Sequence, residues 1–422
     1  MRIAATMAVL SLGACSPPDA VGDDEVGDRA GTLPVEIRHP AGAGSWRLVE
    51  ELRIDGNAEE FSVPSGFLLV DDNGTMTFAD RVRFQLRIYD AKGQHLYDFG
   101  GRGNGPGEFA GSRRLSVIKG GRVADGLWVY DPDGRRITFI GRDGKLDRTV
   151  LSPRLGDVLD SATGRSFGAF FEPLGVHADG GMVGKRIVAL QATPRRVRED
   201  IVYLPAGGGE ASPIGAIPPE HLVDVVDPAT GRVHRVGVMG DVPTLVDVSQ
   251  SGDRVLFVSQ DMEAVPPRAR LTVLGPRGDT LLAMSRAIGT GGAVTEAMYQ
   301  RWVREARSDF EGANRRDAGL YSADFVERIE RAVRENMAPV REPIRGARLG
   351  LDGTIWLMVY PEPDVARYLV LDAAGDSIGY VVPPVPYPRT YFAAGSRTHL
   401  WALVSDRDWI PSIVRYRIEP AQ

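Results

Sequence analysis

Short apolar and β-branched runs, each bounded by Gly, Asp or Asn, recur along the chain from about residue 46 to its end. One unit appears six times: a turn holding Gly or Asp, then an alternating or fully apolar strand, at 74–80, 125–131, 180–185, 253–259, 353–359 and 398–404. A second strand follows each copy, at 86–90, 136–140, 200–204, 270–274, 367–371 and 412–418. Paired runs of this kind around turn residues are hairpin signals. With one strand before and one after, each hairpin becomes a four-stranded blade. The expected fold is therefore all-β, a six-bladed β-propeller, since a closed ring of blades leaves no long exposed sheet edges. The last copy lacks a fourth strand, and residues 46–54 can supply it, so that the two ends of the chain close the ring. A seven- or eight-bladed ring is the architectural rival. Residues 151–171 would have to hold the extra hairpin, and they lack a paired strand signal.

The period changes in an insertion at 290–342. Met298, Trp302, Ala306 and Phe310 recur at helical spacing, as do Phe325, Ile329 and Val333, with Ser322 placed as an N-cap. Pro339 ends the second helix. Arg301, Arg304, Glu305, Glu327, Arg328 and Glu335 fall on the polar faces. A helical hairpin is expected, either a cap over apolar surface or a lid or docking element. The mixture of charge signs speaks against a helix lying on a membrane.

The N-terminus is organised differently. One Arg, an apolar stretch at 3–12 and small residues before Cys15 make a secretory signal at 1–14, too short to span a bilayer. Leu12-Gly13-Ala14-Cys15 resembles the bacterial lipobox. That resemblance implies acylation of Cys15 and cleavage before it, and Ser16 favours transfer to the outer membrane over retention. Residues 15–44 then form an acidic tether, rich in Pro, Gly, Asp and Glu, that cannot bury enough surface to fold. Residues 45–422 form the propeller with its insertion.

Composition adds limits. The 422 residues are 43% hydrophobic and 25% charged, which suits a packed fold, and 50 Gly and 29 Pro suit many tight turns. The net charge of −6 argues mildly against nucleic acid, whose phosphates need a concentrated basic face. Cys15 is the only cysteine, so neither an intrachain disulfide nor a Cys-based zinc site can form.

The run from Phe84 to Phe109, with Asp80 and Arg87 at its recurring acidic and basic positions, resembles an NHL repeat. Asp131, Arg136 and 141–144 keep part of that pattern in the second blade, and the remaining blades match in strand rhythm alone. The whole chain resembles the six-bladed propeller lipoproteins of unassigned function found in some bacteria.

Candidate chemistry is sparse. The glycine-dense stretch 100–107 lacks the Gly-Lys-Ser/Thr of a P-loop and opens no helix, so a blade-to-blade turn explains it. No two of His39, His95, His177, His221, His234 and His399 sit at i, i+4. His177, Asp71, Asp247 and Asp352 fall near inner-strand ends, where metal-dependent propeller lactonases and arylesterases gather ligands. Together they could hold Ca or Zn. The competing role is turn capping, for which Asp is a common choice. Asp80, Asp131 and Asp406 recur in equivalent places and read as structural, with Arg87, Arg136 and Arg415 as expected partners. The leading functional expectation is a monomeric binding or scaffold module without cofactor, anchored in the cell envelope by its lipid alone. It would present a propeller face to a protein, peptide or glycan partner. A metal-dependent hydrolase or lyase with its site in the central channel is the alternative.

Overall fold

The computed structural model describes residues 32–33, 45–59, 64–110, 119–160, 165–190, 196–218, 222–227, 233–237, 244–289, 292–316, 322–338, 340, 342–362, 365–384, 390–406 and 410–420. The signal and lipobox with Cys15, nearly all of the expected tether, His39 and His221 lie outside them.

Two strands come first, β1 (Thr32–Leu33) and β2 (Ser45–Ile54). A four-stranded up-and-down sheet follows, made of β3 (Pro64–Val70), β4 (Met76–Asp80), β5 (Gln85–Tyr89) and β6 (His95–Gly100). A second holds β7 (Lys119–Val123), β8 (Gly126–Asp131), β9 (Arg136–Gly141) and β10 (Leu146–Leu151). The third sheet is five-stranded: β11 (Arg154–Asp160), β12 (Arg165–Val176), β13 (Met182–Leu190), β14 (Arg196–Leu204) and β15 (Ser212–Ile217). A separate two-stranded ribbon, β16 (Leu222–Val226) and β17 (Val233–Gly237), leads to β18 (Leu245–Val248), β19 (Val255–Asp261), β20 (Arg268–Leu274) and β21 (Thr280–Ile288). Thr32 and Leu33 of β1 pair in parallel with Ala287 and Ile288, which makes this fourth sheet five-stranded.

Helices α1 (Glu296–Arg316) and α2 (Ala323–Glu335) come next, and neither is long and apolar enough to cross a membrane. The last strands are β22 (Ile344–Leu349), β23 (Ile355–Glu362), β24 (Val365–Leu371), β25 (Ser377–Val381), β26 (Thr390–Gly395), β27 (His399–Ser405) and β28 (Pro411–Pro420). With β2 they make one eight-stranded sheet, ordered β22-β23-β24-β25-β2-β28-β27-β26.

The result is an all-β, propeller-like fold with two helices. All six expected hairpins form, in register. The inner strands of neighbouring sheets lie side by side, β3 against β7, β7 against β12, β18 against β22, and β26 against β3. Each sheet is thus packed on both faces, which explains fully apolar strands where a one-sided sheet would alternate. Strand β4 is buried along its whole length. Met76 and Phe78 pack with Trp401, Leu403 and Ile413 on one side, while Ala79 packs with Val129 and Ile140 on the other.

The chain ends meet as expected. β2 runs antiparallel to β28, from Trp46 opposite Pro420 to Ile54 opposite Ile413. Ser45 and Trp46 also pair in parallel with Tyr380 and Val381, which fuses the last two hairpin units into the eight-stranded sheet.

Three expectations need correction. Residues 151–171 do hold a strand pair: β11 runs antiparallel to the first half of β12. It adds an edge to the third sheet and builds no blade of its own. The apolar stripe of α1 is turned by one residue, with Tyr299 and Val303 buried and Met298 half-buried. The two helices also do not pack alone. Phe325, Ile329 and Val333 meet Tyr299, Val303 and Val225 in a satellite core, so the ribbon β16–β17 completes what the helices begin.

Candidate binding face

The turns that follow β3, β12, β18 and β22 emerge at one end of the inner strands and share a similar closure. Asp71 N donates to Thr75 O (2.9 Å), His177 N to Gly181 O (2.8 Å), Ser249 N to Arg254 O (3.0 Å) and Gly350 N to Thr354 O (2.6 Å). Gly74, Gly180, Gly252 and Gly353 take the positive φ these turns require, between 69° and 82°.

This repetition explains the four sequence candidates for metal ligation. Asp71 and His177 are equivalent turn-opening residues. The Asp71 Oδ1 accepts from the amides of Asn73 and Thr75, each at 2.8 Å. His177 Nδ1 lies 3.0 Å from Asp179 Oδ1. Asp352 accepts from Thr354 Oγ1 and, with its other oxygen, from Arg397 N, both at 2.8 Å. Asp247 sits one step earlier, on β18, bound by Arg348 Nη1 and Leu349 N, again both at 2.8 Å. Among the described residues no three His, Cys, Asp or Glu side chains come together as a metal site. The four are not brought together as a ligand set, because each carboxylate already serves its own turn or ion pair.

The repeat pairs behave similarly. Asp80 Oδ1 accepts from Val82 and Arg83 amides, and Asp131 Oδ1 from Asp133 and Gly134 amides, all at 3.1 Å. Arg136 lies 3.5 Å from Asp131. Its guanidinium also donates to the carbonyls of Gly103, Asn104, Gly105 and Glu108. The glycine-dense loop thus turns carbonyls toward a cation, the reverse of a phosphate cradle. Arg87 donates to Glu59 O (2.8 Å) and pairs with Asp98 at 3.5 Å. Arg415 pairs with Glu51 at 3.5 Å, and Asp406 Oδ1 accepts from Ile410 N at 2.9 Å.

Two polar ties link inner strands. Arg348 on β22 bridges Asp247 on β18 and the Tyr391 hydroxyl on β26, the latter at 2.7 Å. Burial pushes the Asp247 carboxyl up, against the pull of Arg348, while the carboxylate holds the guanidinium above its ordinary value. Lys119 on β7 pairs with Glu172 on β12.

At the turn end a side chain crosses between sheets. The Gln250 carbonyl accepts from Arg122 N at 2.7 Å, and its side-chain oxygen accepts from Val70 N at 3.4 Å. The turn carrying Gln250 therefore reaches from the fourth sheet to the second and first. Glycines make this approach possible: a Cβ on Gly121 would stand 2.4 Å from Gln250 O, and one on Gly252 2.8 Å from the Val176 backbone.

Around this crossing lies an open bowl of about 370 Å³, within the size range of small-ligand sites. Its polar wall carries Arg122, Arg142, Arg254, Asp72, Asp253 and Asp352, and its apolar wall is aliphatic. Asp253 accepts from the hydroxyls of Ser249 and Ser251, each at 2.6 Å. Desolvation works against its charge, but those hydroxyls and Arg254 hold its carboxyl below the ordinary value. Arg122 pairs with Asp72 at 2.9 Å, and Arg142 donates to Ala124 O at 2.7 Å. Neither Gln250 nor these arginines stands out in a chain so rich in Arg. The only sequence signal was the turn glycines beside them.

No family model matches the chain, and no curated protein matches it. Among solved structures, a member of the DUF4221 family from Bacteroides vulgatus is similar over 90% of this chain and 100% of that one, at 12% identity and TM-score 0.44. A gluconolactonase from Xanthomonas campestris is similar over 82% of this chain and 83% of that one, at 11% identity and TM-score 0.35. A calcium-binding protein, regucalcin from Agrobacterium tumefaciens, is similar over 90% and 96%, at 13% identity and TM-score 0.35. At these values the function is read from the chain's own residues.

Proposed function

We propose that this chain is an envelope-anchored binding or scaffold module, a six-bladed propeller whose strand-end face receives a protein, peptide or glycan partner. Six blades follow when the eight-stranded sheet is divided at β2, giving one blade of β22 to β25 and one of β26, β27, β28 and β2. The Asp and Arg positions of the first two sheets align this ring with the NHL type. Cys15 carries the lipid, the acidic segment behind it spaces the body from the membrane, and the outer membrane is the destination. The module acts as a monomer and without a cofactor.

The observation that carries this reading is the bowl around Gln250. It is open, its walls mix charged and aliphatic side chains, and its carboxylates are engaged by hydroxyls, amides or guanidinium groups. Such a surface can hold a partner without carrying out chemistry on it. The rival, a metal-dependent hydrolase or lyase, needs convergent ligands free to meet an ion. His177, Asp71, Asp247 and Asp352 are engaged separately, which favours the binding reading.

Photo-cross-linking in the native cell tests it. A photoreactive residue replacing Leu351, exposed in the bowl wall, should yield one adduct of defined mass. The same residue at the exposed Leu281 on β21 should not. Absence of an adduct at 351, together with stoichiometric calcium or zinc in the purified chain by elemental analysis, would overturn the proposal in favour of the hydrolase.

A further inference from the structure

Among the described residues, one cation of the bowl has no hydrogen-bond acceptor for its side chain. Arg122 has Asp72 and Arg142 has the Ala124 carbonyl, but no acceptor among the described residues hydrogen-bonds the Arg254 guanidinium. Room for that head group is built in. A Cβ on Gly353 would stand 2.3 Å from Arg254 Nη1, and the φ of +82° at 353 independently favours glycine. Arg254 comes from the fourth sheet, and the glycine that makes room for it from the β22–β23 turn.

Of the nearby carboxylates, Asp253 attracts the cation through space but does not hydrogen-bond it. Asp253 is held by two serine hydroxyls, and both oxygens of Asp352 are engaged by Thr354 and Arg397 N. A planar guanidinium with unused donors in a partly buried wall is matched by a carboxylate, which accepts two parallel N–H bonds.

We infer that the bowl recognises a carboxylate on an acidic peptide segment of the partner, with Arg254 as the residue that grips it. This rests on the binding reading of the same face. The wall favours peptide over uronate glycan: Val70, Val123, Val176, Leu349 and Leu351 are aliphatic, and among the described residues no aromatic ring lines the bowl to give a sugar a stacking face. Acidic-motif capture by arginines beside a modest apolar wall is an established mode of peptide recognition.

The test is calorimetric titration of the full-length chain with acetylated, amidated tri-glutamate, using tri-glutamine and tri-galacturonate as comparisons. Tri-glutamate should bind and tri-glutamine should not. Arg254→Gln should weaken tri-glutamate by about tenfold or more, the usual scale of a lost charge-assisted bond. Its thermal midpoint should stay close to that of the parent, since the side chain makes no hydrogen bond and attracts only the exposed Asp253. Equal tri-glutamate affinity in parent and Arg254→Gln overturns the inference, and so does tighter binding of tri-galacturonate. If tri-glutamate fails while the Leu351 adduct still forms, the carboxylate assignment falls and the binding face stands. Loss of both removes both.

Discussion

Gly252 and Gly353 each meet two demands, one from the backbone and one from a neighbouring sheet. Both have positive φ, and a Cβ at either would meet the Val176 backbone or the Arg254 guanidinium below 3.0 Å. Gly252→Ala should therefore cost about 2 kcal/mol or more in a denaturant titration, from left-handed strain plus a clash with backbone. Gly207→Ala, where nothing lies within 4 Å of the added Cβ, should be near neutral. Asp179 gives a pH test. Its carboxyl is held well below the carboxylate range, first by the Gly181 amide, against desolvation, and then by His177, Tyr203 and Arg277. A depressed folded value stabilises at neutral pH and loses that contribution as pH falls below about 4, the unfolded value. Thermal midpoints between about pH 5 and pH 2 should fall less steeply for Asp179→Asn than for the parent. At this scale sequence was least decisive. Asp and His near strand ends look alike whether they cap a turn or bind a metal, because both roles use the same lone pairs.

The two helices show how element periodicity succeeds and slips. Phe325, Ile329 and Val333 were legible at spacing four, and Ser322 caps α2 by accepting from Phe325 N at 3.1 Å. In α1 the amphipathic rings shift the stripe. Tyr299 is buried with its hydroxyl donated to Glu330 O at 3.0 Å, and Trp302 stacks on it at 6.3 Å. The ribbon β16–β17 escaped notice because its partner is a helix about 100 residues later in the chain, and no local pattern encodes that meeting. Since the satellite core is a cluster of its own, Ile329→Ala should cost about 2–5 kcal/mol locally. Hydrogen exchange should accelerate in α1, α2 and β16 while β4 and β23 keep their protection. Equal acceleration in the sheets would show that the satellite and the ring unfold as one.

For the molecule as a whole, β2 is the closing piece. It pairs with β28 along nearly its full length and touches β25, so one strand from the chain's beginning joins its last two hairpin units. Deleting residues 45–54 exposes a long edge on β28 and removes Leu52 and Ile54 from the core shared by the first and last sheets. The expected outcome is a marked drop in thermal midpoint and a broadened transition, followed by circular dichroism. An unchanged, sharp transition would mean that the ring does not depend on this closure.

The amino-acid sequence by itself determined the hairpins, the second helix with its cap, and the terminal strand able to complete the last blade. These depend on contacts a few residues apart or on one repeated pattern, which a chain displays in its order of side chains. Only the tertiary structure decided which charges meet. Asp247 and Arg348 are 101 residues apart, and Gln250 reaches Val70 across 180. In an Arg-rich chain every guanidinium looks equal in sequence. Folding gives most of those around the bowl a partner and leaves Arg254 with its donors unused, because partners so far apart are chosen by the packing of sheets and not by any local pattern.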